Sequence, residues 1–233
     1  MSEARTGPKR SQLAQDRSRD TRQAIIKAAL ELWSERGYDR GVDETKVEEI
    51  VARAGVSKAT FYFHFARKED ILLATSWLTA KVFYEDALKG LVNGGSTDDI
   101  IDDITVKLCR RMERVPALGL RRLLQAQAAT KSGAPLPQDD DANHVSFRNA
   151  FAVIFLQAQQ NGDVPQTLSP ARLGVMFEAM LMSAIHESVY EEGELLVILR
   201  ERFAVLLAGA RHVSEGALSP GKERTTKTRR RAG

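Results

Sequence analysis

Apolar residues recur three and four positions apart through most of this chain, interrupted by glycines, prolines and short polar runs. Ile25, Ala28, Ala29, Leu32 and Trp33 form the first stripe. With Asp20 as N-cap and Gly37 as stop, it predicts a helix beginning near residue 20. A loop containing Gly41 follows. The run TKVE at Thr45 to Glu48 has capping-box form and opens a second helix that turns Val47, Ile50, Val51 and Ala54 inward as far as Gly55. Ser57 supplies an N-cap for a third, short helix through Phe65.

Beyond it, Glu69 and Asp70 suit the first turn of a long helix carrying Ile71, Leu72, Leu78, Val82 and Phe83, which runs to the NGG break at Asn93 to Gly95. The spacing predicts further helices over about 97–114, 117–131, 143–161, 170–191 and 194–214. Pro116, the loop SGAPLPQDDD, Gly162 and Gly193 separate them, and Ser169 before Pro170 is a helix-start signal. No segment alternates with strand period for long. The pattern predicts an all-α fold: a small N-terminal three-helix head and a larger C-terminal helical bundle.

The stretch AGVSKATFYFHFARKED places Phe61, Tyr62, Phe63 and Phe65 within five positions. A helix turns about 100° per residue, so four rings this close cannot share one face. Phe61 and Phe65, four apart, fall on the face toward Ile50 and Ala54 and belong to the core. Tyr62, Phe63 and His64 then face elsewhere, with Lys58. Two helices joined by a short glycine turn form a helix-turn-helix, whose later helix suits a DNA groove.

Charge sharpens that expectation. Residues 1–19 and 219–233 together carry a net +8, while the formal net charge of the chain is +3, so the body between them is acidic. Within the body only the segment 20–68 is net positive, and no acid interrupts Ser57 to Lys68. The polar ends predict a disordered basic arm over 1–19 and a disordered basic tail over 215–233, either of which would steepen the salt dependence of DNA binding. The single cysteine, Cys109, builds no disulfide framework, and no apolar run reaches membrane length, so a cytoplasmic protein is expected. Nucleophile-elbow, zinc-binding HExxH, CxxC and phosphate-loop motifs do not occur, which argues against an enzyme. No cofactor or metal site is expected. Asp141 and His144 straddle a predicted helix start, and DDIIDD at Asp98 to Asp103 suits exposed first turns.

Three blocks in this order, TRQAIIKAALELWSERGYD, TKVEEIVARAGVS and VSKATFYFHFARKEDILL, resemble the TetR family of bacterial transcriptional regulators over about residues 20–75. The resemblance implies a DNA-binding domain over 20–67 and a ligand-binding and dimerisation domain over 68–214. It implies that Thr45 touches a phosphate, that Lys58, Ala59, Tyr62 and Phe63 face the major groove, and that Thr60, Tyr62, His64 and Lys68 contact phosphates. It further implies a homodimer through residues about 170–214, a palindromic operator, and release from DNA by a small-molecule effector. The sequence departs from the family at Ala66 and Arg67, which leave the long helix without a good side-chain N-cap.

Apolar residues expected to face inward, Trp77, Phe147, Phe151, Met176, Phe177 and Met180, are candidates for an effector pocket taking a largely apolar compound. His144 and His186 are candidates to orient a polar group on it. Two other functions fit the same pattern: an effector-independent DNA-binding dimer, and a helical module that binds protein.

Overall fold

The computed structural model describes residues 10–129, 145–191 and 193–213. The described residues contain ten helices: α1 (Arg10–Arg36), α2 (Tyr38–Glu44), α3 (Val47–Ala54), α4 (Lys58–His64), α5 (Asp70–Val92), α6 (Thr97–Met112), α7 (Ala117–Ala129), α8 (Phe147–Gln160), α9 (Pro170–Tyr190) and α10 (Leu195–His212). No strand occurs among them. The expected disorder of 1–9 and 215–233 and the loop expected over 132–141 lie outside the described residues.

Two elements differ from the sequence expectation. The first helix starts at Arg10 rather than near Asp20, so residues 10–19 of the expected arm are helical. No proline or glycine interrupts Arg10 to Arg36, and Thr21 bonds back to the Arg17 carbonyl within the helix at 2.8 Å. A polar helical extension carries no apolar stripe, so periodicity cannot register it. The second difference is α2, which stands where the pattern gives a loop. Tyr38 and Val42, four apart, are both buried and pin this short helix to the head.

Elsewhere the punctuation works as expected. Gly55 ends α3 in the left-handed conformation at φ 68°, and Ser57 Oγ accepts the Thr60 N–H to start α4. Ser96, Ser146 and Ser169 cap α6, α8 and α9 in the same way. The expected capping box is displaced by one residue: Lys46, not Thr45, is the N-cap of α3, and its N–H donates to the Glu49 carboxylate at 2.8 Å. Thr45 cannot cap because its hydroxyl is turned inward to accept from Arg36 at 2.9 Å.

The apolar faces gather into two cores. The head core joins Ile25, Ala29 and Trp33 of α1 to Ile50, Phe61 and Phe65, and continues into α5 through Ile71, Leu72 and Ala74. The bundle core stacks six phenylalanines, Phe83, Phe147, Phe151, Phe155, Phe177 and Phe203, with ring centroids 4.7–5.4 Å apart. Both cores share α5, and Leu123 and Ala126 of α7 pack onto the head. Head and bundle are therefore mechanically continuous. The DDIIDD run has a structural use: Asp98 and Asp163 both bind Arg211, and Asp102 binds Arg200, fastening α6 to α10.

Candidate nucleic-acid interface and ligand cavity

Helix α4 is held against α3 and α1 by its two inward rings. Phe61 is fully buried and Phe65 nearly so, with ring centroids 5.9 Å apart. That anchorage fixes the phase of the helix, so Tyr62 is turned outward at 56% exposure and Phe63 at 79%. Lys58 and Ala59 lie on the same outer side, at the start of the helix. A ring as exposed as Phe63 costs hydration free energy in the free protein, which is an argument for a partner surface. With no hydrogen-bonding group, Phe63 offers apolar contact such as a thymine methyl provides.

The polar members of the predicted set are arranged unequally. Lys58 forms an ion pair with Glu48 of α3, which holds that carboxyl below its usual range and the ammonium above its own. Thr60 hydrogen-bonds Ser57 at 2.8 Å while its hydroxyl stays near the surface. His64 is half-buried; burial, then the Arg22 guanidinium, lowers its pKa. Two residues have other employment. Thr45 is 1% exposed and accepts from Arg36. Lys68 donates to the carbonyls of Asp43 at 2.7 Å and Thr45 at 3.0 Å. The Lys46 N–H at the start of α3 is taken by Glu49, and Glu48 and Glu49 occupy the first turn, so that helix end is already compensated by acids. The expected phosphate contact through Thr45 is thus not presented, and Lys68 acts first as a clamp.

The joint after α4 resolves the missing cap. The chain turns at residues 66–69, and Asp70 accepts the Arg67 N–H at 2.9 Å while also pairing with its guanidinium at 3.2 Å. The helices are separate, and the cap comes from inside α5.

A cavity of about 160 Å³ lies where the head meets the bundle. Leu30 of α1 and Tyr38 of α2 contribute to its wall, with Leu72, Leu108, Leu120, Leu123, Leu124, Phe147 and Ile185 from the bundle side. Its polar groups are Thr75, Ser76 and Thr79 of α5, Gln127 of α7 and Arg111 of α6. Gln127 donates to Ser76 at 3.0 Å, and Arg111 pairs with the buried Asp86 at 2.5 Å. Tyr38 lies close against α7: a Cβ on Gly119 would stand 3.1 Å from its ring. Burial pushes the Tyr38 phenol up. At the far side of α2, Asp43 pairs with Arg122 of α7.

Of the six pocket candidates, only Phe147 lines this cavity. Phe151 and Phe177 are buried in the aromatic stack, their ring centroids 5.3 Å apart. Trp77 is partly buried beneath Lys81, whose ammonium sits 5.7 Å from the ring. Met176 and Met180 face outward on α9. His186 is exposed against Tyr190 at 4.6 Å, and His144 lies outside the described residues. Sequence reasoning missed Tyr38, Arg111 and Gln127, because the loop assigned to Gly41 hid Tyr38 and nothing in helical spacing marks a polar residue as facing a void.

Among the described residues, no group of three or more histidine, cysteine or acidic side chains is disposed to hold a metal ion. No described helix is long and apolar enough to cross a membrane. Comparison with known proteins gives a consistent result. Residues 25–75 match the model of the bacterial regulatory proteins of the tetR family. The chain is 28% identical over 182 residues to the HTH-type transcriptional regulator TcmR of Streptomyces glaucescens, covering 66% of this chain and 76% of that one. It is 38% identical over 85 residues to the A-factor receptor protein of Streptomyces griseus, covering 35% of this chain and 29% of that protein. In fold it is similar to Thermus thermophilus FadR, a TetR-family transcriptional repressor solved with lauroyl-CoA, with a TM-score of 0.62 and 22% identity over 86% of this chain and all of that one.

Proposed function

The chain belongs to the TetR family of bacterial regulatory proteins through its residues 25–75, and from that premise we propose that it is a cytoplasmic, ligand-responsive transcriptional repressor that binds a palindromic operator as a homodimer. Helix α4 enters the major groove, with Lys58, Ala59, Tyr62 and Phe63 toward the bases and Thr60 and His64 toward the backbone. The outward display of Tyr62 and Phe63 beside Lys58, on a helix whose other rings are locked in the core, supports this assignment.

One observation carries the ligand-responsive part: the cavity wall is built from both units, with Leu30 and Tyr38 from the head and the remainder from the bundle. A compound that wedges this cavity moves α2 and α1 relative to α7. A ligand shifts such an equilibrium only by its differential fit to the two arrangements, and a wall shared between head and bundle supplies that difference. The A-factor receptor and the lauroyl-CoA complex are relatives and neighbours whose names point to small-molecule binding, which agrees with this reading.

Dimerisation is assigned to the outer faces of α9 and α10. Val175, Met176, Ala179 and Met180 form an exposed stripe at helical spacing on α9, and Val197, Ala204 and Val205 another on α10. Leu181, Ile185 and Val189, on the opposite face of α9, are buried within the chain. Helices apolar on two sides need a second partner, and a sister subunit supplies one.

Selection of bound DNA from a random library tests the proposal. A palindromic consensus with half-sites about 34–36 Å apart, or a multiple, is expected. Sequence-specific binding that survives simultaneous loss of Lys58, Tyr62 and Phe63 would refute the assignment of α4.

A further inference from the structure

Resting on the effector cavity just proposed, we infer that this cavity is the inner part of a longer site that opens through a cleft beside the start of α10, and that its ligand is an elongated molecule with an aliphatic middle. The cleft, of about 300 Å³, lies where the ends of α6 and α9 meet the starts of α7 and α10. It has three wall residues in common with the cavity at the head and bundle junction: Met112, Val115 and Leu120. Side chains that border both spaces form the partition between them.

That partition is built to yield. Met112 and Leu120 are only partly buried although they pack against the bundle core, and Val115, in the turn between α6 and α7, is 38% exposed. An apolar side chain with open space on two sides lacks the close contacts that hold a core residue in one rotamer. Methionine, unbranched and with three rotatable bonds, changes shape at low cost. The two spaces also differ in access. The cleft is rimmed by Glu113, Ala117, Gly193 and Glu194, all exposed, whereas the inner cavity is backed by the buried Leu72, Leu108 and Phe147. The cleft thus offers a route from water, past Met112 and Leu120, to the wall that Tyr38 contributes from the head.

Polarity varies along this route. Glu113, Ser188 and Glu194 line the cleft, Thr75, Ser76, Thr79 and Gln127 line the inner cavity, and the three residues between them are all apolar. A polar group placed at that waist loses its water without gaining a side-chain partner, so a molecule lying across it carries its polar atoms at its ends. Volume argues the same way. About 160 Å³ alone is close to the ~150 Å³ cavity that takes benzene and falls below the ~300–1,000 Å³ of most small-molecule sites; the cleft brings the whole within that range.

Straight-chain alcohols provide a ruler for the site. Dissociation constants of butanol through dodecanol, with benzene as a probe of the inner cavity, are measured by calorimetry on the full chain and on Val115→Trp, which is chosen to fill the waist. Burying one methylene strengthens binding about fourfold, so wild-type affinity should climb at that rate beyond hexanol, about what the inner cavity alone holds, to decanol. Decanol should also compete with benzene. In Val115→Trp the climb should stop near hexanol while benzene binds as before. A wild-type plateau at hexanol with benzene still bound overturns the inference and leaves the inner cavity as a ligand site. Decanol and benzene bound together would put the chain in the cleft alone, and a climb unchanged in Val115→Trp would put it on some other apolar surface; each overturns the inference. Failure of benzene and every alcohol to bind overturns both this inference and the cavity's role. The wild-type series and the competition need no variant, so a Val115→Trp chain that does not fold leaves the test intact.

Discussion

The Lys68 ammonium lies 3.0 Å from the carbonyl oxygen of Thr45 and 2.7 Å from that of Asp43, tying the start of α5 to the junction between α2 and α3. A lysine in the most basic part of the head is thereby used as a clamp on backbone groups at a helix C-terminus, where a cation is favourable. Hydrogen bonds from a charged donor contribute about 1.5–3 kcal/mol when buried, and partial exposure of Lys68 discounts this to about 1 kcal/mol. Lys68→Ala should therefore lower the melting temperature by about 2–4 °C, the scale for a chain of this size. It should leave the slope of log affinity against log salt almost unchanged. A salt slope shallower by about one, with no loss of stability, would return Lys68 to the phosphate contacts.

Glu48 and Lys58 make a second, opposite case. Their ion pair lies at the exposed entrance to α4, so DNA must compete with Glu48 for the lysine. Glu48→Gln removes the competitor and one negative charge from the DNA-facing side. Exposed pairs are weak, so operator affinity should rise by about two- to fivefold rather than by orders of magnitude. Fluorescence anisotropy of a labelled operator at fixed salt measures this, and weaker binding by the variant would count against Lys58 facing DNA.

How much of this was legible in the sequence depends on which force sets each feature. Helical phase comes from covalent geometry, so the division of Phe61 and Phe65 inward from Tyr62 and Phe63 outward follows from spacing alone. The turn at Gly55 and the cap at Ser57 are equally local. What spacing cannot supply is the partner of a polar group across the fold. Lys68 meets Thr45 and Arg111 meets Asp86 only because segments far apart in sequence are brought together by packing. Most of the pocket candidates lie away from the cavity at the head and bundle junction for the same reason: Phe151 and Phe177 pack ring on ring in the bundle core. The extension of α1 to Arg10 escaped because a polar helix has no apolar rhythm.

Acid should loosen the head through Glu49. The Arg36 guanidinium, then the Lys46 N–H, hold its carboxyl down to about 2, against an ordinary 4.5. The folded pKa lies below the unfolded one, so between those values the unfolded chain binds the extra proton and stability rises with pH. The contribution is complete above about pH 4.5 and is lost as pH falls toward 2. Glu49→Gln should lower head stability at neutral pH and flatten the fall between pH 4.5 and 2. Chemical denaturation followed by Trp33 fluorescence, with Trp77→Phe in both proteins to remove the second indole, would show it across that range. Parallel stability curves for the two proteins would exclude the ion pair as the cause.

Gly174 of α9 packs directly against the backbone of α8, and here two effects of opposite sign can be weighed. Replacing a helical glycine with alanine normally stabilises by about 1 kcal/mol, because the unfolded chain loses freedom. At Gly174, however, the new Cβ would stand 2.4 Å from the Arg148 carbonyl oxygen and 3.2 Å from the Ala152 Cβ. Neither neighbour is the end of a flexible side chain, so the helices must separate. Overpacking of this kind costs about 1–3 kcal/mol or more, and a contact this short belongs at the upper end. Gly174→Ala should thus lower the melting temperature by several degrees. Gly209 of α10 is the matched comparison, since a Cβ there meets no other atom within 4 Å. Gly209→Ala should raise the melting temperature slightly through propensity in the single chain, and a fall would place Gly209, one turn after Val205, in close contact across the proposed dimer face. Thermal denaturation of the two variants side by side tests the argument, and equal shifts of the same sign would show that backbone approach at α8 and α9 does not govern the outcome.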